Sequence, residues 1–294
     1  MKSCAILTMD CLDDFEAYDY LIDKPLAAMG WKTEPVSWRN KDVNWDQYDA
    51  VIIRTPWDYQ ADAEAFVKVL NEIEQSTAHL ENKLPIVKWN IDKRYLKDLT
   101  ARDVAIVPTI WDSEFTEDKL QHYFEHYHHK DIIIKPCISA NADNTFWLNK
   151  DSFTKHISAL KEAFKTRNYM VQPFLKDVLS EGEFSLFYFN GEYSHAILKT
   201  PGQGDFRVQE EHGASIKPTA PCDKLIAAAQ KTLEAIHYLH GTPLYARVDY
   251  VRMGDEFVLM EAELIEPSLY FNMDEQAAPR FAKAFVDRMS FLTL

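Results

Sequence analysis

The chain has 294 residues, 47% of them apolar and 27% charged, an ordinary balance for a folded protein and enough length for two or three lobes with their own cores. A formal net charge of −14 excludes a nucleic-acid-coating protein, which needs a basic stripe to displace phosphate counterions, yet leaves room for a phosphate ligand met by two or three placed cations. Cys4, Cys11, Cys137 and Cys222 lack metal-ligand spacing, the N-terminus does not read as a signal peptide, and no apolar run reaches bilayer length, so a cytoplasmic protein with no nucleic-acid or membrane partner is expected.

Ser3–Met9 reads as a strand, Asp13–Met29 as a helix stopped by Gly30, Lys32–Trp38 and Asp49–Ile53 as further strands, and Ala61–Glu74 as a second helix. This is the pattern of an open βαβ sheet. The loop Arg54-Thr55-Pro56-Trp57-Asp58-Tyr59 follows a strand's carboxyl end, where ligands gather in such sheets. Arg54, Trp57 and Asp58 there suit either a polar zwitterion or a docking contact with a neighbouring lobe. Pro85–Trp89 reads as another strand and Tyr95–Arg102 as a helix with Asn90 or Asp92 as its N-cap. Glu117–Tyr127 and Asp151–Lys165 read as helices around a short apolar strand, Asp131–Pro136. Lys135 near the end of that strand is costly to bury unless an anion meets it. The stretch after it, Cys137–Trp147, has the length of a phosphate-covering loop but no glycine, leaving Asn141, Asp143 and Asn144 to supply left-handed backbone. Tyr169–Leu175 is a strand entering a hinge, Glu183–Phe189 and Tyr193–Leu198 form a hairpin about Asn190-Gly191, and Pro221–Leu239 and Asp274–Met289 are helices.

The chemistry concentrates in Leu244–Ser268. Two strand-like runs, Leu244–Arg252 and Phe257–Leu264, flank a Met-Gly-Asp-Glu turn signal, so Glu261 and Glu263 share a face. An odd or bulged connection places Asp249 opposite Glu261, and an even one places it on the other side. Val248, Tyr250, Val258 and Met260 fill the alternate positions. Converging carboxylates repel one another unless a hard cation such as Mg²⁺ neutralises them; a solvated polar face is the plainer reading.

Lys93, Lys135, the Gln172–Leu175 hinge, Glu183 and the Asp249/Glu261/Glu263 set, in that order, resemble the ATP-grasp superfamily. The resemblance implies an α/β fold with three lobes: an N-terminal open βαβ lobe (residues 1–88), a central lid (89–174) and a C-terminal α+β lobe with the metal site (175–294). It implies Lys93 and Lys135 on the ATP phosphates, Gln172 and Leu175 at the adenine, Glu183 at the ribose, and Mg²⁺ on Asp249, Glu261 and Glu263. Arg247, and Arg207 in Gly204-Asp205-Phe206-Arg207, would stabilise the developing charge or hold the substrate carboxylate. The segments Arg54–Tyr59, Ile138-Ser139-Ala140, Gly204–Gln209 and Glu263–Ser268 are similar to enzymes that close the D-cycloserine ring.

The activity that this resemblance implies is that of an ATP- and Mg²⁺-dependent ligase for a small amino-acid-like acid, activated as an acyl phosphate and attacked by an amine, with intramolecular ring closure as one form. An intermolecular ligase of the glutathione-synthetase kind and an ATP-binding regulatory protein without turnover are the alternatives. A homodimer is a family-level expectation. His122 and His126 have metal-pair spacing but also that of a solvated helix face. His195 reads as structural, His212 as a neighbour of Arg207, and Trp111 and Trp147 as packing residues.

Overall fold

The apolar runs near the N-terminus become parallel strands covered on both faces. The computed structural model describes residues 1–13, 15–139 and 142–291. Strand β1 (Lys2–Thr8), helix α1 (Asp23–Ala28), β2 (Trp31–Ser37), β3 (Ala50–Thr55), helix α2 (Ala63–Gln75) and β4 (His79–Glu81) form a parallel sheet in the order β2-β1-β3-β4. Cys4, Ile6, Ala50 and Ile52 face one core with α1, while Ala5, Leu7, Val51 and Ile53 face another with Phe66, Leu70 and Ile73 of α2. Burial on both sides is why these strands lack polar alternation.

Three expectations for this region change. The helix expected over Asp13–Met29 is confined to a 3₁₀ turn at Asp19–Ile22 and α1, with Pro25 accommodated in α1's first turn. Phe15 and Tyr18, whose spacing suggested that helix, instead lie against Trp57 and Tyr270, with ring centroids 5.4 and 6.2 Å apart. Pro85–Trp89 is helical, within α3 (Leu84–Asn90), and the fourth strand is His79–Glu81. A five-residue apolar run carries no period that separates the two, and Pro85 suits a helix's first turn. Neither Asn90 nor Asp92 caps α4 (Tyr95–Thr100), whose N-cap is Arg94. Asn90 instead bridges Ala262 O and Leu264 N, at 2.8 and 2.9 Å.

A second sheet, antiparallel in the order β5-β8-β6-β7, consists of β5 (Ile110–Asp112), β6 (Asp131–Pro136), β7 (Phe146–Asn149) and β8 (Tyr169–Pro173). Helices α5 (Glu117–Tyr127) and α6 (Ile157–Ala163) cover one face through Leu120, Tyr123, Phe124 and Leu160. The helix expected at Asp151–Lys165 is therefore shorter, preceded by a 3₁₀ turn at Phe153–His156. Ala140 and Asn141, part of the stretch expected to cover phosphates, lie outside the described residues, while Ala142 and Asn144 have φ of 54° and 50°.

The third sheet follows the short helix α7 (Asp177–Ser180). It contains β9 (Glu183–Phe189), β10 (Glu192–Thr200), β11 (Ser215–Pro218), β12 (Tyr245–Met253) and β13 (Glu256–Glu263), antiparallel in the order β11-β10-β9-β12-β13. Helix α8 (Asp223–His240) packs on one face and α9 (Ala277–Phe291) closes against the first sheet. Asn190 and Gly191, with φ of 52° and 85°, make the expected tight turn. The β12–β13 connection is a two-residue turn, Gly254-Asp255, which alone would turn Asp249 away from Glu261. A bulge corrects the parity: Asp249 pairs with Glu261 and Tyr250 with Leu259, leaving Met260 as the extra residue. Consequently Leu259, rather than Met260 or Val258, joins the core with Val248 and Tyr250.

Asn82, fully buried after β4, ties the N-terminal sheet to β12 and β13. Its Nδ2 donates to Tyr245 O and Leu264 O, both at 2.8 Å, and its Oδ1 accepts from Leu244 N at 2.6 Å. Replacing Asn82 by Ala strands these buried groups and is expected to destabilise the fold by about 3 kcal/mol, read as a lowered urea midpoint.

Candidate active site

The sheet register assembles the charged face. Glu183 is opposite Lys199, Ser185 is opposite Asp249, Asp249 is opposite Glu261, and Arg247 is opposite Glu263. The Glu183–Lys199 match depends on a second bulge, between Tyr193 and His195, in the β9–β10 hairpin. Gly182 is required beside it, since a Cβ there would stand 2.6 Å from Lys199 O. This face, the β6–β8 sheet and the N-terminal lobe enclose one cavity, lined by Lys93, Lys135, Glu183, Lys199, Arg247, Asp249, Glu261 and Glu263 among others.

The charges inside are matched in pairs. Lys93 Nζ lies 2.9 Å from Glu261 and donates to Ser139 O at 2.7 Å. Lys199 Nζ lies 2.5 Å from Glu183 and 3.7 Å from Asp249. Arg247 bonds Asp249 at 3.0 Å and also Glu263, and Ser185 Oγ donates to Asp249 at 2.5 Å. Burial disfavours each of these charges, but the partners outweigh it for Lys93 and Lys199, whose pKa values are raised, and for Asp249 and Glu261, whose values are lowered. Burial raises Glu183 despite Lys199, and raises Glu263 to about 7, with Arg247 pulling the other way and Glu261 and Asp249 adding repulsion. Lys135 differs. Among the described residues it has no ion pair, and burial lowers its pKa.

The hinge after β8 supplies an apolar slot. Leu175, Phe174 and Pro173 line the cavity with Val107, Ile133 and the bulge residue Met260. Gln172, 3% exposed, donates to Thr109 Oγ1 at 2.9 Å. Arg207 also lines the cavity, held on Asp205 at 2.7 Å, and Phe206 beside it meets the stacked pair Trp147 and Phe174 edge-on. Trp147 packs as expected, and Trp111 lies under Lys97.

Of the Arg54–Tyr59 segment, Trp57 lines the cavity, whereas Arg54 and Asp58 do not. Arg54 is in β3 and wholly buried, paired with Asp19 at 2.6 Å, so it cannot meet a ligand as expected from its place after an apolar strand. Asp58 accepts from Trp38 Nε1 and Arg39 Nε, both at 2.7 Å. Sequence reasoning gave no role to Lys199, Tyr59, Glu16, Glu210, Glu211 or Glu266, all of which line the cavity. Glu266, bonded by Tyr59, is pushed up to about 8 by burial and by Glu263. Its place in Glu263–Ser268 was the available signal, whereas Lys199 was hidden by the bulge.

Asp249, Glu261 and Glu263 offer the hard oxygen donors that Mg²⁺ takes, and their mutual repulsion favours a cation. They do not already converge as a ligand set: among the described residues no three His, Cys, Asp or Glu side chains are grouped to hold a metal. Lys93 and Arg247 occupy Glu261 and Glu263 in its stead. The donor types fit, with those two cations displaced. His122 and His126 show only a ring contact, 6.4 Å between centroids.

Residues 101–236 match the ATP-grasp domain of prokaryotic glutathione synthetase, and residues 4–82 the N-terminal domain of D-cycloserine synthetase DcsG. The chain has the ATP-grasp fold and is a carboxylate–amine ligase that uses ATP to form a C–N bond. It is similar to the cycloserine biosynthesis protein DcsG of Streptomyces lavendulae, 28% identical over 273 residues that cover 89% of this chain and 90% of that one. The crystal structure of D-cycloserine synthetase DcsG superposes with a TM-score of 0.86 at 25% identity, covering 98% and 99% of the two chains. The ATP complex of D-alanine–D-alanine ligase from Bacillus anthracis shares the fold, with a TM-score of 0.71 at 13% identity over 99% and 98% of the chains.

His195, 5% exposed, stacks on Phe187 at 4.2 Å and contacts Leu269 O through Nε2, and burial lowers its pKa from 6.5 to about 4. A depressed histidine stabilises the fold above the unfolded value of 6.5, and that contribution is lost as pH falls towards 4. It amounts to about 3 kcal/mol. The stability difference between the unsubstituted protein and His195→Gln should therefore shrink across this window in urea titrations.

Proposed function

We propose that the chain is an ATP- and Mg²⁺-dependent ligase that activates a small amino-acid-like acid as an acyl phosphate and closes it by attack of an amine in the same molecule. The observation that carries the phosphate site is Lys135, a half-buried cation with no ion pair among the described residues, facing a cavity with Lys93, Lys199 and Arg247. An arriving polyphosphate supplies the missing anion. The likeness to DcsG along nearly the whole chain supports the cyclising form, and the glutathione-synthetase match over residues 101–236 supports an intermolecular second reading.

In this reading the lobes are residues 1–88, 89–174 and 175–294. The adenine enters the slot at Gln172 and Leu175, and Glu183 takes the ribose. Lys93 and Lys135 hold the phosphates. Asp249, Glu261 and Glu263 would hold Mg²⁺, which when bound offsets charge between the transferring phosphoryl oxygens. A free carboxylate resists amine attack because oxide would have to leave, whereas phosphate leaves readily from the acyl phosphate. Arg247 stabilises charge on the tetrahedral centre, and Arg207 orients the acid bidentately. The lining also holds an acidic set, Glu16, Glu210, Glu211 and Glu266, with Trp57 and Tyr59. It suits an acid that also bears an ammonium group. A cytoplasmic homodimer accords with this role.

The test is phosphate release from MgATP against amino acids, dipeptides and O-ureido-D-serine, with mass spectrometry of products. Release that depends on one acid, with a product formed without a second substrate, is the expected result. Release that requires a separate amine selects the intermolecular reading, and nucleotide binding without release across the panel selects a regulatory binder.

Lys135→Ala and Glu261→Gln are each expected to lower acid-dependent release by at least about 10²-fold, with circular dichroism unchanged. Undiminished release by Glu261→Gln would refute the metal assignment.

A further inference from the structure

The segment that leaves β13 is held in an unusual way. Its backbone carbonyls from Leu264 to Leu269 are each met by a side chain from elsewhere. Leu264 O accepts from Asn82 Nδ2 at 2.8 Å, and Ile265 O lies 2.9 Å from Tyr245 Oη, whose single proton it shares with Ile53 O at 2.6 Å. Glu266 O accepts from Trp57 Nε1 at 2.8 Å and Pro267 O from Arg54 Nη2 at 2.6 Å. Ser268 O accepts from Arg247 Nη1 at 3.3 Å, and His195 Nε2 lies 3.1 Å from Leu269 O. With no strand partner among the described residues, this piece has its carbonyls met by side chains, as buried backbone requires. It carries Glu266, Ser268 and Tyr270 along the cavity wall.

Arg54, a donor in this row, also reaches a different wall. Its Nε bonds Asp19 at 2.6 Å while Nη2 bonds Pro267 O, and its guanidinium lies 4.9 Å over the Tyr245 ring. Asp19 begins the 3₁₀ turn behind Glu16 and Tyr18. Glu16 lines the cavity, and Tyr18 Oη donates to Glu210 at 3.1 Å. One buried planar fork thus joins the 264–269 segment to the 16–22 segment, and through Tyr18 to the segment bearing Arg207.

We infer that Arg54 is a positioning residue: its fork fixes the spacing of the two walls between which the acid is held, without touching the acid. This rests on the assignment of the acidic part of the cavity lining to the acid. A lysine at the position retains the charge but concentrates its donors on one atom, and so cannot hold Asp19 and Pro267 O along two fixed directions.

The experiment is hydrogen exchange of the full chain carrying Arg54→Lys, with calorimetric titration of ADP. The expected result is exchange about tenfold faster in peptides covering 16–22 and 264–271, unchanged exchange in β6 and β8, and ADP affinity within about twofold of the unsubstituted protein. With whichever acid drives phosphate release, KM for the acid should rise about tenfold while KM for ATP holds. Faster exchange throughout, or none at the two segments, overturns the inference. Should Arg54→Lys not fold, Asp19→Asn weakens one arm of the fork and is expected to loosen 16–22 more than 264–271; no local loosening there also overturns it. Absence of phosphate release by the unsubstituted enzyme counts against the ligase reading alone, since the exchange pattern judges Arg54 without a substrate.

Discussion

Charges withdrawn from water must be matched by opposite charges, and here that requirement organises an entire face of the five-stranded sheet. Asp249 receives Arg247, Lys199 and Ser185; Glu261 receives Lys93; Glu263 shares Arg247; Glu183 receives Lys199. Pairs of this kind add little net stability, because desolvation offsets their attraction, but removing one member leaves an uncompensated charge. The set is therefore held together more by the cost of disturbing it than by surplus stability. Lys135, outside the pairing, and Glu263 and Glu266, both pushed towards their neutral forms, are where an incoming anion and cation have most to gain.

The same carboxylates were legible in the sequence, but their convergence was not settled. Period-two alternation puts Glu261 and Glu263 on one face, whereas the two-residue turn at Gly254 and Asp255 would have sent Asp249 to the other. One bulge at Met260 reverses that outcome, and a second between Tyr193 and His195 does the same for Lys199. Bulges leave little trace in a single sequence, since they are set by strain and packing across the ladder. This is why Lys199 went unassigned, while Lys93, Lys135 and Glu183, named from the resemblance, line the same cavity.

Where local pattern was strong the reading held: Glu117–Tyr127, Asp131–Pro136 and the Asn190-Gly191 turn coincide with the structure. Where the pattern was short it failed, as at Pro85–Trp89. Arg54 failed for another reason. Composition put a cation at a strand's carboxyl end, the usual place for a ligand, but its partner Asp19 and the carbonyl of Pro267 come from distant parts of the chain. A residue's chemistry is visible in sequence, while the direction in which it is spent depends on contacts made across the fold.

The side-chain-capped carbonyls have a consequence for protein synthesis. The segment from Leu264 to Leu269 draws its donors from Arg54, Trp57, Asn82, His195, Tyr245 and Arg247, so it emerges from the ribosome after every group that will hold it. This wall therefore closes only after residue 269 has been made, and the apolar slot beside the hinge waits for Met260, so the two parts of the cavity are completed by the same stretch of chain.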